Sequence, residues 1–442
     1  MRHLSFTIIV FVCFLNNAYS QSITIDTSAF RPFDTSLPLS ILNSYRNSYN
    51  DAIRQFDHYY NLAKKYIKEG DLESAKMYVN RCIQLNNRYD GGICDRSILI
   101  NLKKACEQNS NSNYYPQHQS DNLSIKSIAD KGDSKAQFLL GLKYYEGKDV
   151  ENNHIQAFYW IEKAASNNYA DAQFFLGNMY YEGIGCEKDY KKTLLWYEKA
   201  AENGHSHAQY CVGYLYELGI GTSINNSKAA YWYKKAALGG NLVAQYKYGL
   251  ALFSGKGIEK DKEQGCHWIE ETANSGLKEA QYTMGIFYLT GESVKKNPQK
   301  AVLLLSESAK QGVVEAQTVL GRCYFNGTGV KKDYEKSIYW FKQAANYDNA
   351  EALFYLGICY ANGYGVDIDN NKTIYYFTRS AEKGNSDAQF YIGLSHVTGQ
   401  YNNDKDFEEG LYWLSKASKQ GNQKAIDVLK KLEVKKEQYN NH

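Results

Sequence analysis

Apolar and polar positions repeat along the chain with a long, constant period. Ala-Gln recurs at Ala136, Ala172, Ala208, Ala244, Ala280, Ala316 and Ala388, and Ala352 holds the same register with Leu after it. Every step is 36 residues. Five residues after each Ala stands a Gly, from Gly141 to Gly393, and eleven after stands another, from Gly147 to Gly399. The Ala, an apolar residue at +4 and Tyr at +8 lie on one helical stripe, as in Ala172, Leu176 and Tyr180. This predicts a helix A that runs from near the Ala to the second Gly. A left-handed cap suits that Gly and the one that often follows at +13, as in Gly183-Ile184-Gly185. The bare Gly at +5 lets another helix approach closely.

A second apolar run predicts helix B, as in Ala157-Phe158-Tyr159-Trp160-Ile161. Trp returns at Trp196, Trp232, Trp268 and Trp340. Pro298 stands before one B helix, where the first turn tolerates it. One such hairpin cannot bury its apolar faces alone. Stacked hairpins share a continuous core, which makes the array an α-solenoid. The pattern Ala-Gln-aromatic-x-Leu-Gly-x-x-Tyr-x-x-Gly-x-Gly, then Ala-x-x-Trp-Tyr-x-Lys-Ala-Ala, resembles Sel1-like repeats over residues 124–440. That resemblance implies an all-α, right-handed α-solenoid of stacked helix-turn-helix repeats, with eight units and a terminal cap helix.

The flanks read differently. Arg2 and His3 precede an apolar run from Phe6 to Leu15, and Ala18 and Ser20 fit a cleavage site before Gln21. Residues 1–20 therefore read as a secretory signal peptide. Residues 21–40 look extended or flexible. Residues 41–106 resemble a tetratricopeptide-like helical hairpin, with helices expected over 41–69 and 72–86 and a third near 94–107. The Asn/Ser/Gln-rich stretch 107–123 reads as a linker. No run after the signal peptide reaches 18 apolar residues, so no integral membrane segment is expected in the mature chain.

Composition sharpens this picture. The chain has 442 residues, 40 Tyr and 4 Pro, where an average protein of this length has about 22 prolines. Few prolines and 43% hydrophobic residues argue against Pro-rich or disordered classes. Tyr is expected chiefly as packing, at +8 and around the B-helix Trp. The net charge of +3 shows no nucleic-acid footprint.

Chemistry is sparse. After signal cleavage eight cysteines remain: Cys82, Cys94, Cys106, Cys186, Cys211, Cys266, Cys323 and Cys359. Free thiols are expected in the array, with a bridge among Cys82, Cys94 and Cys106 left open. His205-Ser206-His207 with Cys211 is a weak metal pattern, outweighed by a solvated turn. Ser380-x-x-Lys383 matches a Ser-Lys pair, but no Lys-Thr-Gly or Ser-Asp-Asn accompanies it. It reads as chance. No catalytic residue, metal or cofactor is expected.

A partner is expected on the concave face that helix A lines. At 100° per residue, offsets +2, +6 and +9 fall opposite the core stripe. Many are apolar or aromatic. Packing explains +2 best; the varied positions +6 and +9 give the candidate groove: Asn178, Tyr214, Ile286 and Arg322, with Tyr145, Tyr181, Glu217, Phe253 and Phe325. Such a groove favours a protein or peptide ligand. The leading expectation is a non-enzymatic scaffold, secreted or periplasmic. Other readings are a secreted hydrolase or penicillin-binding activity, a glycan or peptidoglycan binder, and an adaptor of the eukaryotic ER lumen. Asn122, Asn225, Asn326 and Asn371 are formal glycan acceptors for the last.

Overall fold

The computed structural model describes residues 55, 58–69, 71–88, 103, 125–147, 151–402 and 405–440. All regular elements among them are helical. The expected signal peptide, the extended segment 21–40, the linker 107–123 and the third helix near 94–107 lie outside the described residues, apart from residue 103. The chain forms two compact units, residues 1–224 and 225–442.

The first unit opens with helix α1 (58–69) and α2 (Leu72–Arg88). Ala63, Ala75 and Val79 form their core, with Tyr66 stacked on Tyr78 at 5.6 Å. These are the two described helices within 41–106, where a tetratricopeptide-like hairpin is expected from sequence. A short α3 (Ile125–Asp130) follows. Then come α4 (Ser134–Glu146), α5 (His154–Ser166), α6 (Ala170–Glu182), α7 (Tyr190–Glu202) and α8 (Ser206–Leu218).

The second unit continues the alternation. Its helices are α9 (Asn226–Leu238), α10 (Leu242–Ser254), α11 (Lys262–Asn274), α12 (Lys278–Thr290), α13 (Pro298–Lys310) and α14 (Val314–Asn326). They are followed by α15 (Tyr334–Ala345), α16 (Ala350–Asn362), α17 (Asn370–Glu382), α18 (Ser386–Thr398), α19 (Phe407–Lys419) and the cap helix α20 (Gln423–Asn440). From α4 to α18 the even-numbered helices are A helices, and from α5 to α19 the odd-numbered ones are B helices.

Local chemistry sets the boundaries. Each A helix ends at the +11 glycine, whose φ is +68° to +82° in the left-handed region. Each B helix starts after Asn or Asp at offset +17: Asn153, Asp189, Asn225, Asp261, Asn297, Asp333 and Asp369, then Asp406 one place late. Their side chains accept backbone N–H groups of the first turn, for example Lys192 N–H on Asp189 Oδ1 at 3.0 Å. Such caps stabilise by about 1 kcal/mol each. The cap residue's own N–H donates back to the carbonyl at +8, as from Asp189 to Tyr180 O at 2.9 Å.

The two other glycines act by close approach. The +5 glycine faces the fully buried residue of its own B helix. A Cβ on Gly321 would stand 2.6 Å from Phe341 Cε1, and one on Gly357 would stand 2.5 Å from Phe377 Cδ1. The +13 glycine is not part of the cap, contrary to the sequence expectation. Gly185 and Gly221 hold positive φ, and a Cβ there would strike the backbone carbonyl of His154 or Tyr190, where the preceding B helix begins.

Burial also divides the aromatic residues. Tyr180, Tyr216, Tyr288 and Tyr360 at +8 are buried, as expected. The residue after the Trp slot is fully buried in Ile161, Tyr197, Ile269, Leu305, Phe341, Phe377 and Leu414. The residue before the slot is exposed: Tyr159, Leu195, Tyr231, Leu303, Tyr339, Tyr375 and Tyr412. These side chains were expected as packing. They point outward because they sit about 200° round the helix from the buried residue two places on.

Candidate functional site

The A helices are tied to their neighbours by the Gln of the Ala-Gln pair. Gln137, Gln173 and Gln209 in the first unit donate from Nε2 to Ala129, Ala165 and Ala201 O, eight residues back, at 3.0–3.2 Å. Gln245, Gln281, Gln317 and Gln389 do the same in the second unit. The amide oxygen then accepts from the residue that ends the next B helix: Asn167 on Gln137, Asn203 on Gln173, Gln311 on Gln281 and Gln420 on Gln389, at 2.8–3.0 Å. The ladder crosses repeat boundaries and gives a second donor to carbonyls that already accept a backbone N–H, as Ala165 O does from Asn168 N–H at 3.1 Å.

The +8 tyrosines make a second link. Tyr288 OH donates to Glu270 Oε1 at 2.7 Å, and Lys300 Nζ reaches both, at 2.6 and 2.8 Å. Hydrogen bonds from Lys300 and Tyr288 hold the Glu270 carboxyl below the usual carboxylate range. Tyr216 donates likewise to Glu198 at 2.7 Å.

In the first unit Tyr145, Asn178 and Tyr181 pack on their own B helices. Tyr145 meets Phe175 edge-on at 5.2 Å and His154 at 5.4 Å. Tyr181 packs on Tyr190 at 5.3 Å, and burial pushes its hydroxyl up to about 12. Asn178 and Tyr214 are buried, and Glu217 is half-buried. Asn178 accepts a short hydrogen bond from Tyr197 OH, while its Nδ2 is buried without a partner.

In the second unit Phe253 stacks on Phe287 at 4.8 Å, and Phe325 lies among Tyr334, Tyr355 and Tyr364 at 5.3–5.7 Å. Ile286 is buried. Arg322 donates from Nη1 to Glu351 Oε1 at 2.8 Å, and its Nε is buried without a partner. Burial opposes the Arg322 charge, and Glu351 more than restores it. Burial pushes the nearby Tyr282 hydroxyl up to about 12, with Glu315 and Glu351 adding to the effect.

Offset +2 is packing: Phe138, Phe174, Tyr210, Tyr246, Thr318 and Phe390 are buried. Phe174, for example, stacks on Tyr197 and on His205. Offset +9 wedges between the next A helix and the start of its own B helix. On α16 the half-exposed row therefore runs through −1, +3 and +6, as Glu351, Tyr355 and Ile358. The wheel angle missed this shift because an A helix touches helices on three sides.

The other chemical candidates have structural roles. Ser380 is fully buried and its hydroxyl donates to Ala350 O at 2.6 Å, while Lys383 pairs with Asp348 at 2.7 Å. Ser308, at the same repeat position, donates to Lys278 O. His205 Nδ1 accepts from Ala208 N–H at 3.1 Å and so caps α8. Burial drives the His205 imidazole down to about 3, with His207 adding to the effect, and drives the Cys211 thiol up to about 12. Among the described residues, no group of three His, Cys, Asp or Glu side chains is placed to hold a metal. Cys186, Cys211, Cys266, Cys323 and Cys359 are free thiols. Cys82 is buried, and Cys94 and Cys106 lie outside the described residues. No helix among the described residues is long and apolar enough to cross a membrane.

These features define an all-α solenoid of tandem helical hairpins whose chemistry is devoted to holding repeats together. The chain belongs to the Sel1 repeat family: the Sel1 repeat model matches eight times, at 134–169, 170–205, 206–241, 242–277, 278–313, 314–346, 350–385 and 386–422. Proteins of this family are generally protein-interaction scaffolds.

A protective antigen of uropathogenic Escherichia coli strains with a Sel1-like repeat fold is 31% identical, with a TM-score of 0.63. The match covers 68% of this chain and 64% of that one, so this chain spans under two thirds of that relative's length. A Sel1 repeat protein from Oxalobacter formigenes is 28% identical, with a TM-score of 0.55, over 70% of this chain and 89% of that one. No curated protein matches the chain.

Proposed function

We propose that this chain is a non-catalytic scaffold that holds another protein along the half-exposed row of its A helices. One observation carries the reading. In the second unit that row presents apolar Val319 and Ile358 around the Arg322–Glu351 ion pair and the Tyr355 ring. Apolar contact area around a few charged anchors is what a docked segment of protein uses. The burial of Ser380 leaves the hydrolase reading without its one nucleophile from sequence.

The test is a photo-crosslinking residue at position 319, with position 328 in an exposed turn as the control, followed by mass spectrometry. Capture of one protein from 319 and not from 328 supports the reading. No capture at 319 refutes it. We also propose that the protein works outside the cytoplasm, on the charge and apolar pattern of residues 1–20. N-terminal sequencing of the mature protein should then begin at Gln21.

A further inference from the structure

The second unit exposes a row of large side chains on its B helices, a different surface from the A-helix row. Tyr231, Leu303, Tyr339, Tyr375 and Tyr412 are 52%, 68%, 55%, 51% and 49% exposed. They share one register, with His267 at the same offset on α11. Each tyrosine ring is held edge-on by the residue that follows: Trp232 at 5.2 Å, Trp340 at 5.0 Å, Tyr376 at 5.1 Å and Trp413 at 5.1 Å. These rings are pre-positioned and lose little freedom on binding. A large aromatic side chain carries roughly 150–250 Å². Half-exposure of four of them, with Leu303, amounts to roughly a few hundred Å² of apolar surface spread along the row.

Charge gives the row a direction. Lys235 stands 4.9 Å from the Tyr231 ring centre, Arg379 5.6 Å from Tyr375 and Lys416 4.6 Å from Tyr412. Lys342 follows Tyr339 by three residues, one helical turn on. The six B helices of this unit carry twelve Lys or Arg against eight Glu, a net +4. Its five A helices carry Lys247, Lys278 and Arg322 against Glu279, Glu315, Glu351 and Asp387, a net −1. Some of the outer cations already have partners, such as Lys336 with Asp333 and Arg379 with Asp348. Among the described residues, Lys235, beside Tyr231, and Lys416, beside Tyr412, have no ion pair.

We infer that the outer B-helix row of residues 225–442 is a second docking surface, and that its partner is an acidic polypeptide segment in extended form. The basic surround selects the acidic partner. The spread of the row favours the extended form. Its large side chains stand one per repeat, on B helices that are not packed on each other. An extended segment, at about 3.1–3.4 Å per residue, reaches several of them with the fewest residues, its apolar side chains on the rings and its acidic residues beside the cations. Several weak, equal contacts along one chain add up by multivalency.

The experiment titrates the full chain against fluorescent peptides of repeated Glu-Glu-Leu triplets and of repeated Lys-Lys-Leu triplets, by fluorescence anisotropy. Vesicles of phosphatidylserine and phosphatidylcholine form a separate arm. The Glu peptide is expected to bind at least about tenfold more tightly than the Lys peptide and to weaken as salt rises. Tyr339→Ser/Tyr375→Ser/Tyr412→Ser should weaken Glu-peptide binding by about tenfold or more. Arg322→Ala should leave it unchanged. Lys342→Glu/Lys416→Glu, two exposed sites, gives the same loss should the triple variant fail to fold. Equal binding of the two peptides overturns the inference. So does full binding by the tyrosine and lysine variants, or loss of binding in Arg322→Ala, which would move the acidic segment to the A-helix row. Vesicle binding that needs the same tyrosines, without peptide binding, would assign the row to a membrane surface and also overturn it.

Discussion

Replacing Gln173 with Met tests whether the amide ladder holds the repeats together. Met keeps the length of the side chain and removes both its donor and its acceptor. Gln173 is 2% exposed. Its Nε2 donates to Ala165 O at 3.2 Å and Asn168 Oδ1 at 3.0 Å, and its Oε1 accepts from Asn203 Nδ2 at 2.8 Å. The substitution removes three hydrogen bonds, while Ala165 O keeps the Asn168 N–H at 3.1 Å and Asn203 Nδ2 keeps Asn168 Oδ1 at 2.7 Å. A hydrogen bond contributes about 0.5–1.5 kcal/mol, so the loss is roughly 2–4 kcal/mol.

Gln317 supplies the internal control. It donates to Ala309 O at 3.2 Å, but its Oε1 is buried without a partner. Tyr347 stands where Asn167, Asn203 and Gln311 stand in other repeats. Gln317→Met removes one bond but also an orphan acceptor, and the two effects offset, so the loss is no more than about 1 kcal/mol. Repeats open in neighbouring groups, so native-state hydrogen exchange of the α6 and α14 amides is the assay. Protection should fall clearly more in α6 of Gln173→Met than in α14 of Gln317→Met. Equal losses, or no loss for Gln173→Met, would refute the ladder as a source of stability.

Gly357→Ala forces a Cβ to within 2.5 Å of Phe377 Cδ1 and should cost about 1–3 kcal/mol by overpacking, seen as earlier urea unfolding; an unchanged midpoint would remove the close-approach argument. His205 has a folded pKa of about 3 against an ordinary 6.5, so below pH 6.5 the unfolded chain binds a proton that the folded chain refuses. Stability should fall by about 1.4 kcal/mol per pH unit from 6.5 towards about 3, and His205→Asn, which keeps a cap, should flatten that slope in pH-dependent denaturation. Glu270 is held below its ordinary range by Lys300 and Tyr288, so its contribution is full above the unfolded carboxyl pKa and is lost as pH falls through the lowered folded value. Glu270→Gln should remove that acid-dependent part, a small effect at this half-exposed site, measured as the difference in melting temperature between pH 7 and pH 3.

Much of the fold was legible because its determinants are local and repeated. The +11 glycine ends a helix by its own φ, and the +8 tyrosine follows from the 3.6-residue period. The caps at +17 were equally visible, since Asn153, Asp189, Asn225 and Asp261 stand 36 residues apart, yet they went unread beside the louder glycines. The Ala-Gln pair was seen without its reason, because Gln173 bonds eight residues back and thirty ahead.

The candidate site was legible only as a set of A-helix positions. A helical wheel places +2, +6 and +9 together, since it knows the angle of a residue and nothing of its neighbours. Packing then buried Phe174, wedged Phe325 among three tyrosines, and left Arg322 beside Glu351. The same limit hid the outer tyrosines. Tyr339 and Phe341 are both aromatic and two residues apart, and one is 55% exposed while the other is fully buried. By itself the sequence determined the period, the helices, their caps and the stacking of hairpins, because each depends on backbone geometry within a few residues. Only the tertiary structure decided which aromatic rings became core and which stayed on the surface, because that depends on which helix comes to lie against each face.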